Sequence, residues 1–543
     1  MISQRPTPCH VANGLRDPIA VIVDGPDSCC ATTALRAAGL WWDQGVGFDP
    51  EVRTTAGVVR GQWESAVAVF RGIPYAQPPA GPRRFQAPAP AQPWDGVRDA
   101  LRFGPPVPQP GMSTVIDATG DEDAQWLTLN VWSPDLSASG LPVLVWIHGG
   151  RYMVGGTANP HQDGAVLASA GVVMVSMNYR VGVEGFALIG GCPNNRGLLD
   201  QIAALRWVKD NVAAFGGDPG NVTVFGESAG AGSVAALLAM PIAAGLFRRA
   251  VAHSVPGTFF TERLAATVSA EIAAELGTRA TRVELETIPP HALVEASQVV
   301  LEKMPKFADS WGPMALTPTP FSPVVDGAAL PEVPWRALAG GAARSVELLV
   351  GHTRDEYSLF NTWRDKHMTD AQLTTTLQRL APKPHGANGY RATYPDASSA
   401  ELYEIVNADW LFRMPSQQLA EAQHAGQGAA WLFELCWSFN QDERASHGLA
   451  TLLVFGTLGT DDVTNHRSAH RNANIELGRI SSDMRTECVN FAARGNPGWP
   501  QYDSHARLTR VYNAELTTEP YPEEPSRRLW AEHRFDALDL IGR

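Results

Sequence analysis

The stretch Phe225-Gly226-Glu227-Ser228-Ala229-Gly230 decides the fold that this chain is predicted to adopt. It follows the β-branched run 221–225 and precedes the small-residue run 231–239, so the sequence predicts a strand, a sharp turn and a helix with serine at the apex. Glycine two residues before and two residues after the serine suits such a turn, because a Cβ at either place would meet crowded backbone. The pattern predicts a nucleophile elbow that lifts the Ser228 hydroxyl clear of a sheet.

The predicted turn would also aim the backbone N–H of Ala229 at the oxyanion that forms when Ser228 attacks a carbonyl. The alternative is a glycine-rich strand-to-helix loop with an incidental serine, because the short pattern G-x-S-x-G recurs by chance. The strand and helix patterns on either side favour the elbow. Glu227, beside the serine, is expected either to tune the local electrostatics or only to fit the turn.

Composition and charge exclude several functional classes. The 543 residues are 44% hydrophobic and 18% charged, as in a globular protein with a large core. The net charge is −13 and no Lys/Arg run stands out, which argues against nucleic acid and anionic membrane surfaces as partners. No apolar stretch approaches the roughly 20 residues of a membrane span. Asp24 and Asp27 interrupt the apolar N-terminal stretch, so no signal peptide is expected.

The cysteines are sparse and show no metal-ligand spacing. Reduced thiols in a cytoplasmic protein are therefore expected, with secretion as the alternative. The six cysteines are Cys9, Cys29, Cys30, Cys192, Cys436 and Cys488.

Residues 1–50 lack clear periodicity and are predicted to be an extension of uncertain structure. Beyond them, apolar β-branched runs alternate with helical periods, which predicts a mostly parallel α/β sheet in one large domain, residues 51–543. Strands are predicted at 52–61, 66–71, 127–132, 143–147, 172–177, 222–225, 250–253, 345–351 and 430–435. Helices are predicted at 198–215 and 231–239 and over most of 261–305 and 369–425.

Ester cleavage by a serine requires a base, an acid that orients the base, and donors for the oxyanion. The segment 146–152 ends a buried strand in two glycines, so its backbone N–H groups are candidate donors. The alternative for this segment is a plain glycine turn. For the acid, Asp355 and Glu356 both leave a predicted strand, and the residues alone favour neither.

The base must be found among fourteen histidines, most of which are expected at the surface or in the core. His447 is a candidate because it lies in a predicted loop, next to the small flexible residue Gly448. His352 and His148 are rivals, since each lies close to another of the motif segments.

The sequence resembles the type-B carboxylesterases, a family within the α/β-hydrolases that includes the cholinesterases. The likeness extends over nearly everything from Val52 to Asp503. The matching segments are 70–76, 127–132, 146–150, 178–182, 197–230 and 495–500.

This resemblance implies an α/β-hydrolase fold, in which helices flank a large, mostly parallel central sheet and helical insertions form a gorge. It implies Ser228 as the nucleophile, Glu356 as the acid and His447 as the base. It also implies a small-molecule ester substrate and neither a metal nor an organic cofactor; nothing specifies the oligomeric state. The implied oxyanion donors are the backbone N–H groups of Gly150, Arg151 and Ala229.

Three positions depart from the family pattern. Arg151 stands where relatives often have a third small residue; its backbone N–H is kept, while its side chain would narrow the gorge or offer a charge to an acidic or polar substrate. Trp126 replaces a cysteine that is paired in a disulfide in many relatives, which supports a reducing compartment. Ala450 replaces an acidic residue and weakens the local match around His447.

Residues and resemblance together predict a serine carboxylesterase that works through an acyl-enzyme. An amidase or carbamate hydrolase on the same triad is one alternative. A non-catalytic, cholinesterase-like binding protein is another, against which the filled triad positions argue. Trp311 and Phe321 are candidate gorge aromatics, with core positions as the alternative.

Overall fold

The computed structural model describes residues 49–111, 124–361, 369–438, 444–459 and 472–542. From residue 49 onward these described residues form one compact unit. The predicted N-terminal extension, residues 1–50, lies outside the described residues except for its last two. Cys9, Cys29 and Cys30 lie outside them as well.

The described strands and helices alternate along most of the chain. The strands are β1 (Glu51–Arg53), β2 (Val58–Arg60), β3 (Gln62–Glu64), β4 (Val67–Pro74), β5 (Val97–Asp99), β6 (Thr128–Ser133), β7 (Leu141–Ile147), β8 (Val173–Met177), β9 (Gly217–Glu227), β10 (Arg249–His253), β11 (Phe260–Thr261), β12 (Val324–Val325), β13 (Glu347–Thr353), β14 (Ala430–Leu435), β15 (Leu508–Tyr512) and β16 (Thr517–Pro520).

The helices supply the layers on either side of the sheet and the insertions between strands. They are α1 (Ala165–Ser169), α2 (Gly182–Phe186), α3 (Arg196–Asn211), α4 (Ala229–Ala239), α5 (Glu262–Glu275), α6 (Arg282–Leu285), α7 (Pro290–Lys303), α8 (Ala308–Trp311), α9 (Pro334–Ala339), α10 (Ser358–Asn361), α11 (Asp370–Leu380), α12 (Gly386–Thr393), α13 (Ser399–Ala408), α14 (Met414–Ala425), α15 (Leu449–Phe455), α16 (Ala473–Arg494) and α17 (Glu524–Trp530).

Eleven of the described strands form the central sheet, in the order β16-β15-β14-β13-β10-β9-β7-β8-β6-β4-β3. Neighbouring strands from β15 to β8 are parallel, whereas β16 at one edge and β6, β4 and β3 at the other pair antiparallel. The predicted mostly parallel sheet is confirmed. Strands β1, β2 and β5 form a small separate sheet, and β11 pairs with β12.

Strand β7 is an unbroken apolar run because the sheet is covered on both faces. Val143, Val145 and Ile147 belong to the core that includes α3 and α4, whereas Leu144 and Trp146 belong to the second core, beneath α15 and α16. Successive side chains of a strand point to opposite faces, so burial of both faces leaves no polar position. The two cores together hold the parallel strands in place.

The observed boundaries differ from the predicted ones where local turns intervene. The predicted strand 52–61 is two strands, β1 and β2, because Thr54 closes a turn on the Gly57 carbonyl through its backbone N–H and its hydroxyl, both at 2.8 Å. The predicted helix 198–215 ends at Asn211 and continues as the 3₁₀ turn Val212–Phe215. The strand predicted at 222–225 runs from Gly217 to Glu227.

The turn between β9 and α4 leaves no room for a side chain at its two flanking glycines. A Cβ on Gly226 would lie 2.6 Å from the Gly230 carbonyl carbon, and one on Gly230 would lie 2.1 Å from the Ile147 oxygen. Between them, Ser228 has φ 58° and ψ −124°, a conformation that residues with a Cβ rarely adopt. The glycines are therefore required for this turn, as the sequence predicts.

We predict that Gly230→Ala lowers the free energy of unfolding by about 1–3 kcal/mol or more, because the added methyl group overlaps the carbonyl oxygen of Ile147. Thermal and urea unfolding would measure the change. Gly478→Ala is the matched control: Gly478 is exposed within α16 with open space around it, so alanine there should stabilise the protein by about 0.4–1 kcal/mol. Unchanged stability of Gly230→Ala would contradict the crowding.

Candidate active site

The predicted site residues lie at the carboxyl ends of parallel strands. Ser228 directly follows β9, Glu356 lies just beyond β13, and His447 lies in the segment between β14 and α15. The glycines 149–150 follow β7. Since parallel strands end at the same edge of a sheet, residues that are far apart in the sequence meet there.

Ser228 is held by the backbone on both sides of the turn. Its N–H donates to the His253 carbonyl at the end of β10 (3.0 Å), and its carbonyl accepts from the Gly232 N–H (2.9 Å). The residue is 8% exposed and borders a cavity that Phe412 also lines. Within the described residues, no hydrogen bond joins the Ser228 hydroxyl to His447. Such contacts are often loose in a free enzyme and tighten around the substrate.

A buried carboxylate orients the imidazole of His447. Glu356 Oε2 lies 2.5 Å from His447 Nδ1, while Oε1 accepts hydrogen bonds from the Thr353 N–H (2.8 Å) and the Ser254 hydroxyl (2.5 Å). Burial raises the pKa of Glu356, but the imidazole and the hydrogen-bond donors outweigh burial and lower the pKa overall. Glu356 is therefore ionised at neutral pH and pairs with Nδ1.

Asp355, the rival for the role of acid, faces other partners. Its Oδ2 lies 2.9 Å from Arg354 Nη2 and accepts the Ala445 N–H (3.1 Å). Its own N–H donates to the Ala445 carbonyl (3.0 Å). Asp355 thus ties the loop after β13 to the segment that carries His447, and Glu356 is the carboxylate that contacts the imidazole.

The two rival histidines are both buried and bonded elsewhere. His148 Nδ1 lies 2.8 Å from the Gly149 oxygen, and its ring stacks on Tyr179 with centroids 4.3 Å apart. His352 Nε2 lies 2.8 Å from the Tyr521 hydroxyl. Burial lowers the pKa of each ring to about 4. Both rings are therefore neutral parts of the core at physiological pH.

Glu227 brings a second carboxylate to His447. Its Oε1 lies 2.9 Å from His447 Nε2, without the alignment of a hydrogen bond. Burial lowers the pKa of His447, but the negative charges of Glu227 and Glu356 outweigh burial and raise the pKa to about 10. The two flanking carboxylates therefore favour the charged form of the imidazole. Of the two sequence interpretations of Glu227, this contact favours the electrostatic one.

The loop after β7 has an unusual backbone. Gly150, Arg151 and Tyr152 have φ values of 116°, 60° and 57°, and a Cβ on Gly150 would lie 2.1 Å from the Val154 oxygen. The start of the loop is fixed by the Tyr179 hydroxyl, which donates to the His148 carbonyl at 2.6 Å. The loop conformation therefore requires glycine at position 150 and strains the two residues that follow.

This loop lies against the serine and presents free donors. A Cβ on Gly149 would lie 3.2 Å from Ser228 Cβ, so loop and elbow are in close contact. In the part of the chain that the structure describes, nothing accepts a hydrogen bond from three backbone N–H groups near the serine. These groups belong to Gly150, Arg151 and Ala229. Unbonded N–H groups that converge near a nucleophile can stabilise an oxyanion.

Ser254 is a site residue that the sequence analysis missed. It has φ 61°, its N–H donates to the Gly351 carbonyl (2.7 Å), and its hydroxyl donates to Glu356. Its only signal in the sequence is its place directly after the predicted strand 250–253. The candidate gorge aromatics are both buried in the core: Trp311 stacks on Phe307 at 4.3 Å, and neither Trp311 nor Phe321 lines the cavity beside Ser228.

Other functional features were sought in the described residues. Over these residues, no group of three or more His, Cys, Asp and Glu side chains could hold a metal ion. None of the described helices combines the length and the hydropathy needed to cross a membrane. Cys192, Cys436 and Cys488 are free thiols.

Several known proteins with a similar sequence or structure are named esterases. A family profile described as "Carboxylesterase family" matches residues 48–523. Para-nitrobenzyl esterase of Bacillus subtilis (strain 168) is 36% identical over 492 residues, which cover 88% of this chain and 97% of that protein. Liver carboxylesterase of Sus scrofa is 33% identical over 537 residues, which cover 88% of this chain and 92% of that protein.

The solved structure of the Geobacillus stearothermophilus carboxylesterase EST55 superposes with a TM-score of 0.77 at 34% identity and covers 88% of this chain and 99% of its own. The expected α/β-hydrolase fold is thereby confirmed. Sequence and structure agree over the same large part of the chain, and the chain therefore belongs to the carboxylesterase family.

Proposed function

We propose that Ser228, His447 and Glu356 form the catalytic triad with which this carboxylesterase cleaves carboxylic esters through an acyl-enzyme. The observation that supports the proposal is the contact of Glu356 with His447 Nδ1, which leaves Nε2 on the side of the elbow. The backbone supports it too, because Ser228 is held at the apex of a strained turn against the loop after β7.

In the first half of the reaction, Ser228 Oγ attacks the acyl carbon while His447 Nε2 takes the hydroxyl proton. Glu356 stabilises the imidazolium that forms. The carbonyl oxygen becomes an oxyanion, to which the N–H groups of Gly150, Arg151 and Ala229 donate. One such donor typically contributes about 3 kcal/mol to the transition state. His447 then gives its proton to the departing alcohol oxygen.

In the second half, a water molecule takes the place of the alcohol. His447 removes a proton from the water, whose oxygen attacks the acyl carbon of the ester formed on Ser228. The oxyanion is bound by the same donors and collapses to a carboxylic acid, and the proton returns to Ser228. The donors and the base thus act twice in one cycle, so no further catalytic group is needed.

Esters are supported as substrates by the relatives named para-nitrobenzyl esterase and liver carboxylesterase, while a further relative carries the name phenmedipham hydrolase. These names also set aside the non-catalytic alternative. We keep the cytoplasmic location as a proposal, supported by the free thiols of Cys192, Cys436 and Cys488. We likewise propose that residues 51–543 form one α/β-hydrolase domain, which the family match over residues 48–523 supports.

Replacing the nucleophile should abolish turnover. We expect Ser228→Ala to lower kcat/KM for 4-nitrophenyl butyrate by about 10⁴-fold or more and to prevent labelling by an organophosphate. Ser233→Ala is the matched control, because Ser233 is buried in the same helix α4 and bonded to Gln201. It should retain both activity and labelling. Esterase activity that survives in Ser228→Ala would disprove the proposed nucleophile.

The two adjacent acidic residues should behave differently. We expect Glu356→Gln to lower kcat by about 10²–10⁴-fold, because the imidazole loses the charge that orients it and stabilises its cation. Asp355→Asn should lower kcat less than about tenfold, since Asp355 contacts Arg354 and Ala445 but not the imidazole. Steady-state kinetics on 4-nitrophenyl butyrate would compare them. A larger loss in Asp355→Asn would assign the acid to Asp355 instead.

The pH profile should report the two carboxylates around His447. A base acts only when it is neutral, so a pKa of about 10 means that kcat/KM rises with pH up to that value. Glu227→Gln removes one negative charge and so lowers the pKa of His447. The rise of kcat/KM with pH should therefore shift to lower pH by about one unit or more. A pH-stat assay on an alkyl ester would measure it, with exposed Glu519→Gln as control. If kcat/KM of Glu227→Gln rises over the same pH range as in the parent enzyme, the role given to Glu227 is contradicted.

A further inference from the structure

The described lining of the cavity beside the serine contains a cation and no anion. We call it the Arg151 cavity, and its lining includes Ser228, Arg151, Thr319, Phe360, Leu411 and Phe412. Among the described residues that line it, Arg151 is the only charged one. The chain as a whole carries a net charge of −13, so this local excess of positive charge runs against the overall balance.

Arg151 is held in place at both ends. Its Nη1 donates to the Pro318 carbonyl (3.2 Å), and its own carbonyl accepts from the Thr319 hydroxyl (2.7 Å). The main chain and the guanidinium of Arg151 are therefore both hydrogen-bonded to the segment 317–319. A side chain fixed in this way loses little further freedom when it binds a ligand.

The guanidinium has more donors than acceptors around it. It carries five N–H groups, and in the described structure its only hydrogen bond is the one to Pro318. No described Asp or Glu side chain pairs with Arg151, and burial lowers the pKa of its guanidinium. A partly buried cation without a counterion costs free energy that a bound anion would recover.

Two threonine hydroxyls of the cavity are already bonded. The Thr317 hydroxyl donates to the Met314 carbonyl (2.8 Å), and the Thr319 hydroxyl donates to Arg151. Phe360, Leu411 and Phe412 supply apolar walls. A ligand that fits these surroundings is an apolar chain with a carboxylate at its end.

The position of the base indicates which part of an ester enters the cavity. The leaving alcohol must lie within reach of His447 Nε2, and Nε2 faces Glu227. Glu227, with His148 and Gly149, lines a different cavity from Arg151. The His447 ring packs against Phe412 of the Arg151 cavity, with centroids 4.3 Å apart, while its Nε2 faces Glu227. We therefore assign the alcohol to the Glu227 side and the acyl chain to the Arg151 side. A carboxylate on the alcohol would be repelled by Glu227.

We propose that the preferred substrates are monoesters of short dicarboxylic acids, with the free carboxylate of the acyl chain bound by Arg151. The planar guanidinium can bind that carboxylate through two parallel hydrogen bonds. The proposal rests on the proposed function: Ser228 forms the acyl bond as the alcohol leaves with the proton from His447, and water then releases the free diacid.

The test compares each anionic ester with a neutral ester of the same shape. Benzyl hemisuccinate is paired with benzyl 4-methylpentanoate, and benzyl hemiglutarate with benzyl 5-methylhexanoate; release of benzyl alcohol is measured for each. For the better diacid, we expect kcat/KM to exceed that of its neutral partner by about tenfold or more. Arg151→Gln should reduce this ratio about tenfold or more, and Arg151→Lys should reduce it less.

Two controls locate the effect. Exposed Arg391→Gln, in α12 and not among the residues that line the cavity, should leave the ratio unchanged. The acetate ester of 4-(hydroxymethyl)benzoate carries its charge on the alcohol, so it should be a poorer substrate than benzyl acetate. A preference for the charged alcohol would place the anion on the wrong side and overturn the proposal.

The ratio in the parent enzyme decides the proposal even if a variant does not fold. The role of Arg151 would be overturned if the enzyme prefers the neutral ester at both chain lengths, or if Arg151→Gln leaves the ratio unchanged. In either case, Ser228-dependent hydrolysis of the neutral esters would still uphold the proposed function. Absence of Ser228-dependent hydrolysis of all these esters would instead refute the proposed function. A preference for the diacid monoester that falls as NaCl is raised would support the charge contact.

Discussion

The close approach of helix α4 to the end of strand β7 is the constraint on which the site depends. A Cβ on Gly230 would lie 2.1 Å from the Ile147 oxygen, so backbone touches backbone with no side chain between. The same contact brings Gly149 against Ser228. The proposed nucleophile and the candidate oxyanion donors are thereby parts of one packed unit, and neither can shift without the other because protein interiors are close-packed.

Charge is distributed unequally around this unit. On one side, Glu227 and Glu356 approach the two nitrogens of His447 and favour its charged form. On the other side, Arg151 faces a cavity whose described lining contains no carboxylate. An ester bound between them would meet a negative environment at its alcohol and a positive one at its acyl chain. This asymmetry is a physical basis for substrate selection that the catalytic chemistry itself does not require.

The sequence predicted the architecture better than it predicted the partners of each side chain. The sequence shows buried strands as apolar runs and the elbow as glycines spaced around Ser228, because both patterns are made of consecutive residues. Asp355 and Glu356 could not be told apart from the residues alone, since adjacent loop positions face different directions; the family resemblance implied Glu356. In the structure Glu356 contacts His447, while Asp355 bonds to Ala445. Ser254 went unnoticed because its partner Glu356 lies 102 residues away.

By itself, the sequence determined the strand-turn-helix around Ser228, because the β-branched run, the spaced glycines and the small-residue run follow one another in the chain. It also determined the parallel sheet, because the apolar pattern of each strand requires two covered faces. The tertiary structure decided that Glu227 reaches His447 as well as Glu356, and it left Arg151 without a counterion among the described residues. These outcomes depend on how loops after β7, β9, β13 and β14 converge at one edge of the sheet. Which charged side chains interact at this edge depends on their distances in space, and the order of residues in the chain does not reveal those distances.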